Sequence, residues 1–208
     1  MTTSRSRALI IVDVQNDFCE GGSLAVSGGA AVAGAISRYV ASAAGRYAAV
    51  VATTDWHEDP GAHFSDSPDY VDSWPVHCRI GTDGALIHPA AEPAFEHVEA
   101  IFRKGVHQAA YSGFEGVTPE GDRQVPLAGW LRERAIEEVD VVGIATDHCV
   151  RATALDAAAA GFGTTVLLGL TAGVAPESTV RAVAQLREAG VTLEGEPHVG
   201  GPSLVAGD

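Results

Sequence analysis

A strand-like run that changes at once into a helical pattern, within residues 139–151, constrains the fold of this chain most strongly. Val139 to Ala145 is a short apolar run bounded by polar residues, which is typical of a buried strand. From Asp147 the pattern becomes alanine-rich and helical. Cys149 is therefore predicted in the first turn of a helix, where unpaired N–H groups and the helix dipole favour negative charge. We expect its thiol to ionise easily and to react; a small apolar contact residue is the alternative.

Strand-like and helix-like segments alternate along the whole chain. Strands are predicted at residues 7–14, 48–53, 98–103, 139–145, 164–170 and 191–194. Helices are predicted at residues 30–46 and 127–135, from 147 onwards, and at 176–189. This alternation predicts a single α/β domain over residues 1–208, with a doubly wound, mostly parallel six-stranded sheet and helices on both faces. The core spans about residues 8–194, and residues 195–208 are expected to form a loosely held tail.

Charged residues stand at the ends of two predicted strands. Asp13 interrupts the apolar run of the first strand near its end, and Lys104 ends the third. The carboxyl ends of parallel strands lie at one edge of the sheet, where ligands bind. Asp13, Lys104 and Cys149 should therefore meet, although each alone is as well explained as a turn cap, a solvated charge or an apolar contact.

A long segment without regular patterning, residues 54–93, carries four histidines and two tryptophans. Asp55 and His57 share a face of an extended backbone, and His63 can fold back after a Pro-Gly turn. His77 offers a further imidazole. One carboxylate and two or three imidazoles suit a divalent transition metal such as zinc, iron or manganese, although solvated loop histidines are the alternative. Two histidines without such spacing are interpreted as structural or surface residues: His88 and His97.

Composition narrows the partners and the compartment. The formal net charge of −14 argues against nucleic acid or an anionic membrane surface, and leaves a small-molecule substrate. No apolar run approaches ~18 residues, and the N-terminal residues lack a secretory core. The three cysteines form no CxxC motif, so a cytoplasmic protein with reduced thiols is expected. Whether the chain is a monomer or a homo-oligomer stays open.

Six motifs together resemble one known group of enzymes. They are residues 11–18, 54–57 with His63, 73–78, 102–105, 111–116 and 143–150. Over roughly residues 8–194 the chain closely resembles the nicotinamidase/pyrazinamidase branch of the isochorismatase-like cysteine hydrolase superfamily. The resemblance implies a catalytic triad of Asp13, Lys104 and Cys149. It also implies metal ligation by Asp55, His57 and His63, with His77 matching a further ligand found in some members.

The resemblance also implies the surroundings of the triad. The positions that match a pyridine-carboxamide pocket are Phe18, Leu24, Trp74, Tyr111, Ile144 and His148. For Phe18 and Leu24, the residues alone fit equally well with a loop folded onto the body. The bond between Ile144 and Ala145 matches a cis peptide, and the amides of Ala145 and Cys149 match an oxyanion hole.

The activity implied by the resemblance is metal-dependent hydrolysis of nicotinamide to nicotinate and ammonia, and of pyrazinamide to pyrazinoate, through a Cys149 thioester. The first alternative is a metal-free relative that acts on carbamoyl or ureido compounds. An isochorismate hydrolase fits less well, because that chemistry dispenses with the cysteine. A non-catalytic metal- or small-molecule-binding module would not need Asp13 and Lys104 beside Cys149. A thiol redox sensor needs a resolving cysteine, and Cys19 or Cys78 could serve only if the fold brings it close to Cys149.

Overall fold

The computed structural model describes residues 6–200. The strands are β1 (Arg7–Val12), β2 (Ala49–Asp55), β3 (Ala100–Lys104), β4 (Val117–Glu120), β5 (Arg123–Pro126), β6 (Glu138–Ile144), β7 (Gly163–Gly173), β8 (Thr192–Glu194) and β9 (His198–Val199). The helices are α1 (Gly29–Ala43), α2 (Glu92–Phe95), α3 (Leu127–Glu133), α4 (Arg151–Ala159) and α5 (Pro176–Glu188). Most of the segment between β2 and α2 is irregular, with isolated single turns.

The six predicted strands form the parallel part of one sheet, in the order β3-β2-β1-β6-β7-β8. This confirms the predicted doubly wound α/β fold. An antiparallel hairpin, β4 and β5, extends the sheet beyond β3 and was not predicted. Both of its strands are short, largely polar and contain proline, so they carry no apolar signal, and proline is tolerated at a sheet edge.

Both faces of the sheet are buried, as the apolar run of β1 requires. Alternate residues of β1 enter two separate hydrophobic clusters. Ile10 and Val12 pack on one face with residues of α3, α4 and α5. Leu9 and Ile11 pack on the other face with residues of α1 and α2. The central strand is thus held from both sides, which fixes the position of its carboxyl end.

The strand order reverses at β1, which pairs in parallel with β2 on one side and with β6 on the other. Such a switch point opens a crevice at the carboxyl ends of the strands. Gly143 of β6 lies opposite Val12, with a φ of 121°. A Cβ atom at Gly143 would lie 2.1 Å from the carbonyl oxygen of Val12. Only glycine therefore allows β6 to approach β1 this closely beside the crevice.

Part of the predicted tail, residues 195–200, is described by the structure. His198 and Val199 form β9, which pairs in parallel with Ala172 and Gly173 at the end of β7. A two-residue strand is too short to leave a periodic pattern in the sequence. The rest of the predicted tail, residues 201–208, lies outside the described residues. Among residues 6–200, no helix combines the length and the apolar character that a membrane span requires.

Candidate active site

Four strand ends bring the chemically active side chains to the crevice. Asp13 follows β1, Asp55 ends β2, Lys104 ends β3, and Cys149 lies in the wide turn at residues 146–150 that joins β6 to α4. All four residues are buried, with Asp13 fully enclosed and Cys149 7% exposed. Asp13 has a φ of 47°, which turns the chain away from β1 directly after the strand. The structure therefore brings together four residues that are far apart in the sequence.

Lys104 is the central cation of this group. Its Nζ lies 2.9 Å from Asp13 Oδ2, 2.5 Å from Asp55 Oδ1 and 3.6 Å from Cys149 Sγ. Burial acts to lower the pKa of Lys104, but the carboxylates of Asp13 and Asp55 outweigh it and raise that pKa well above its ordinary value. The side chain is therefore a fixed positive charge.

One oxygen of the Asp13 carboxylate accepts a hydrogen bond, and the other does not. Thr53 Oγ1 donates a hydrogen bond to Asp13 Oδ1 at 2.6 Å. Oδ2 forms the ion pair with Lys104 but makes no aligned hydrogen bond. A carboxylate oxygen of Asp13 and Sγ of Cys149 lie within 4.8 Å of each other. Burial raises the pKa of Asp13, against the opposing effect of Lys104, which makes the carboxylate a stronger base than a solvated one.

The expectation that Cys149 ionises easily is wrong for the protein without substrate. Burial raises the pKa of the Cys149 thiol well above its ordinary value, and the charge of Lys104 only partly offsets this effect. A position near a helix start does not show how far the surrounding residues bury the thiol. Burial has the larger effect on the pKa of Cys149 here. Cys149 is therefore a neutral thiol beside a base, and a nucleophile of this kind is activated by proton transfer.

Three histidines form a cluster next to this group. One ring nitrogen from each of His57, His63 and His77 lies within 4.8 Å of the others, and the ring centroids are 5.1 to 5.4 Å apart. All three residues are buried. His57 Nε2 and His63 Nδ1 have no hydrogen-bond partner among the described residues. Buried polar nitrogens without partners are costly, so such a cluster is typical of residues that bind a metal ion.

The donor set fits a divalent transition metal. Nδ1 of His57 lies 2.5 Å from the carbonyl oxygen of Gly105, and Nδ1 of His77 lies 2.7 Å from that of Pro75, so the Nε2 lone pair of each ring faces the cluster. Burial, together with the neighbouring histidines, lowers the pKa of His63 to about 4, and burial lowers that of His77. Both rings are therefore neutral, the form that binds metals.

Asp55 lies between the histidine cluster and Lys104. Its Oδ2 is 3.8 Å from His57 Nε2 and 3.9 Å from His77 Nε2, while its Oδ1 pairs with Lys104. Burial would raise the pKa of Asp55, but Lys104 and His57 lower it below its ordinary value. An ionised carboxylate thus faces the histidines, as the predicted ligand set requires. Gly105 allows the close approach, because a Cβ there would lie 2.5 Å from His57 Cε1.

A pocket opens beside Cys149, with about 520 Å³ of empty space that includes its mouth. All six residues predicted to bind the substrate ring line it: Phe18, Leu24, Trp74, Tyr111, Ile144 and His148. Trp74 Nε1 donates a hydrogen bond of 2.9 Å to Tyr111 Oη, and both rings contact His148. The peptide bond between Ile144 and Ala145 is cis, as the resemblance implied. Cys149, Asp55 and two of the histidines also line the pocket, so a small flat molecule there would reach both groups.

The comparison with known proteins agrees with this geometry. The model of the isochorismatase domain matches residues 7–195. The chain belongs to the isochorismatase family. A nicotinamidase/pyrazinamidase of Mycobacterium tuberculosis is 60% identical over 187 residues, which cover 90% of this chain and 97% of the relative.

Solved members of the isochorismatase family have the same fold. A pyrazinamidase of Pyrococcus horikoshii in complex with zinc has a TM-score of 0.73 at 34% identity, covering 90% of this chain and 98% of that one. PnC1 from L. infantum, solved in complex with nicotinate, has a TM-score of 0.76 at 37% identity, covering 92% of this chain and 93% of that one.

Two features of this isochorismatase-family site were not predicted from the sequence. Four further residues line the pocket: Ala25, Val26, Ala110 and Val174. They are small and apolar and carry no chemical signal in the sequence. The second feature is the ion pair of Lys104 with Asp55, which joins the triad to the histidine cluster.

The other two cysteines of this isochorismatase-family chain pack in a different hydrophobic cluster from the nucleophile. Cys19 and Cys78 belong to the hydrophobic cluster on one face of the sheet, whereas Cys149 belongs to the cluster on the other face. All three are free thiols. A redox sensor needs a resolving cysteine close to the reactive one, and Cys149 forms no disulfide with either of them in this structure.

Proposed function

We propose that this protein is a metal-dependent nicotinamidase, which hydrolyses nicotinamide to nicotinate and ammonia and also converts pyrazinamide to pyrazinoate. The observation that carries the proposal is the convergence of Asp13, Lys104 and Cys149 at one end of a pocket that also reaches a histidine cluster. The 60% identical relative with both activities in its name supports it. Pyrazinamide presents a similar ring nitrogen and amide group, so one pocket suits both substrates.

The reaction begins with the transfer of the Cys149 proton to Asp13. The sulfur then attacks the carboxamide carbon and forms a tetrahedral intermediate. The N–H groups of Ala145 and Cys149 hold its negative oxygen, a contribution for which the loss of one donor typically costs ~10²–10³ in rate. Asp13 gives its proton to the departing nitrogen, ammonia leaves, and a thioester remains on Cys149. Asp13 then removes a proton from water, and the resulting hydroxide attacks the thioester carbon. The bond between that carbon and the sulfur breaks, Asp13 returns the proton to Cys149, and the acid product leaves and ionises to nicotinate.

Lys104 stabilises the charges that move during these steps. Its ammonium lies within 3.6 Å of the sulfur and 2.9 Å from Asp13, so it favours the thiolate as that anion forms. The raised pKa of Cys149 and the raised pKa of Asp13 suit proton transfer between the two groups rather than a permanent charge on the sulfur.

Asp55, His57, His63 and His77 would hold one divalent ion of zinc, iron or manganese. Such an ion, when bound, supplies a Lewis acid that can fix the ring nitrogen of the substrate and thereby its orientation. Phe18, Leu24, Trp74, Tyr111, Ile144 and His148 enclose the ring. The metal-free alternative, which acts on carbamoyl or ureido compounds, leaves the unpartnered nitrogens of His57 and His63 without an explanation.

We also propose which partners the enzyme binds and where in the cell it acts. The chain acts as a single domain whose partners are small molecules, and neither nucleic acid nor a membrane is bound, in keeping with the net charge of −14. Three free cysteines support a cytoplasmic location. The chain works as a monomer or a homo-oligomer.

Ammonia release from nicotinamide tests the function directly. We expect the wild-type protein loaded with zinc, iron or manganese to be active, and Cys149→Ala to be inactive with its fold retained. Chelated protein should lose activity and regain it when metal is restored. An inactive wild type with all three metals would refute the assignment. Activity that survives complete metal removal would instead favour the metal-free alternative.

A further inference from the structure

The pocket beside Cys149, which we call the ring pocket, adjoins a larger groove. The groove has about 1970 Å³ of empty space, which includes open solvent. Six residues line both spaces and form the wall between them: Leu24, Ala25, Trp74, Tyr111, His148 and Val174. All six except His148 are apolar or aromatic. A substrate group that extends from the pocket into the groove must therefore pass an apolar wall.

One side of this wall is a set of interlocked rings. Trp74 donates a hydrogen bond to Tyr111, and the Trp74 ring lies 5.1 Å from that of His148 between centroids. The Tyr111 ring stacks on His148 with a centroid distance of 6.3 Å. Truncating any of these residues would disturb the others, and His148 precedes the nucleophile directly. The rings are therefore poor candidates for a change in pocket size alone.

Val174 is different, because its side chain is aliphatic and the residue is 46% exposed at the mouth. Its position is fixed through the backbone. The N–H groups of Val174 and Ala175 donate to the carboxylate of Asp147 at 2.9 and 3.3 Å. Ser178 Oγ donates to the same carboxylate. Shortening the side chain of Val174 would leave these backbone contacts in place, so the wall would open without moving the turn that carries Cys149.

We propose that Val174 is a specificity-determining residue, which narrows the ring pocket toward the groove and disfavours pyridine and pyrazine carboxamides that carry a ring substituent pointing to the groove. This inference rests on the proposed function. With a smaller residue at position 174, the protein accepts ring carboxamides that carry a small apolar substituent pointing to the groove. The substrate class is alkyl-substituted pyridine carboxamides, because the wall that the substituent crosses is mainly apolar.

The experiment compares kcat/KM for nicotinamide with kcat/KM for its monoalkyl derivatives, a set of positional isomers in which one free ring carbon at a time carries a methyl or ethyl group. The proteins are wild type, Val174→Ala and Val180→Ala. Val180 is a suitable control because it lies on α5, is 70% exposed and lines neither space. For Val174→Ala we expect kcat/KM for at least one isomer, relative to nicotinamide, to rise about tenfold to a hundredfold, the range that one or two methylene groups confer in a pocket. Val180→Ala should match wild type.

Val174→Leu should act in the opposite direction and lower the relative kcat/KM of the methyl isomers. If the ratios for every isomer in Val174→Ala and Val174→Leu stay within about twofold of wild type, the inference is refuted. That result leaves the proposed function intact, provided that wild type hydrolyses nicotinamide. A wild type that does not hydrolyse nicotinamide contradicts the proposed function and the inference together. Melting temperatures of the variants show whether each one is folded.

Discussion

Nζ of Lys104 lies 2.5 Å from Oδ1 of Asp55, the carboxylate whose other oxygen faces two of the clustered histidines. The same ammonium also pairs with Asp13. One buried cation therefore balances an acid of the triad and an acid of the proposed metal site. Two carboxylates this close could not both stay ionised in the interior without it.

Lys104→Met should destabilise the protein as well as inactivate it. Removing one partner of a buried ion pair typically lowers the free energy of unfolding by about 3–5 kcal/mol. Urea denaturation and ammonia release measure the two effects. Arg103→Met is the matched control, because Arg103 is exposed and stacks over the Trp56 ring at 4.3 Å, a contact worth about 1 kcal/mol. Equal destabilisation by both variants would contradict the central role of Lys104.

Asp13→Asn should abolish proton transfer while the fold is kept, because Lys104 retains Asp55 as its partner. We expect kcat for nicotinamide to fall about 10²–10⁴-fold, the usual contribution of a general base. Steady-state kinetics and circular dichroism test both parts. Asp72→Asn, the same change in an exposed loop, should leave kcat unaltered. A kcat for Asp13→Asn near that of wild type would assign the base to another group.

His57→Ala should remove metal binding, because His57 Nε2 is buried and has no partner among the described residues. Equilibrium dialysis with elemental analysis should find one ion per chain in wild type and less in the variant. Added metal should raise the melting temperature of wild type only. His97→Ala, at an exposed position outside the cluster, should behave as wild type. If the wild-type chain binds no ion, the metal-site proposal fails.

Gly143→Ala should destabilise the fold at the crevice. The new Cβ would lie 2.1 Å from the Val12 carbonyl oxygen at a φ of 121°, so β6 must move away from β1. We expect a loss of about 2–4 kcal/mol in the free energy of unfolding. Gly129→Ala is the control, since a Cβ at this position of α3 meets open space and alanine favours the helix by roughly 0.5–1 kcal/mol. Similar stabilities for the two variants would contradict the close approach.

The metal-free protein should lose stability as the pH falls. Burial and the neighbouring histidines lower the pKa of His63 from 6.5 to about 4, so between these values the unfolded chain binds more protons than the folded one. Stability therefore decreases as the pH is lowered through this window. Urea midpoints of chelated protein at about pH 7 and about pH 4.5 measure the slope, which His63→Asn should reduce. An unchanged slope in that variant would assign the loss to other groups.

The sequence was informative where a signal was local. Strand periodicity and the polar residue that ends each strand predicted that Asp13, Lys104 and Cys149 share one edge, because parallel strands align their carboxyl ends. The spacing of Asp55, His57 and His63 likewise predicted a cluster. His77 stands 14 positions after His63, and no local pattern predicts that the loop between them folds back to the cluster.

Properties that depend on enclosure could not be predicted in the same way. The pKa of Cys149 is raised by burial beneath loops that are distant in the sequence, although its position near a helix start favoured the opposite. Val174 is an ordinary aliphatic residue in the sequence, so only the fold shows that it lines both the ring pocket and the groove. The β4–β5 hairpin escaped prediction because an edge hairpin needs little apolar surface.

The short pairing of β9 with the end of β7 has a practical consequence. Val199 lies opposite Gly173, next to the wall residue Val174, and Gly200 lies close to Ser27 and so to the pocket residue Val26. A fusion partner joined directly after Gly200, the last residue that the structure describes, would thus start from a point beside the entrance for substrates. Attachment before β1, whose first residue lies at the opposite edge of the sheet, keeps such additions away from that entrance.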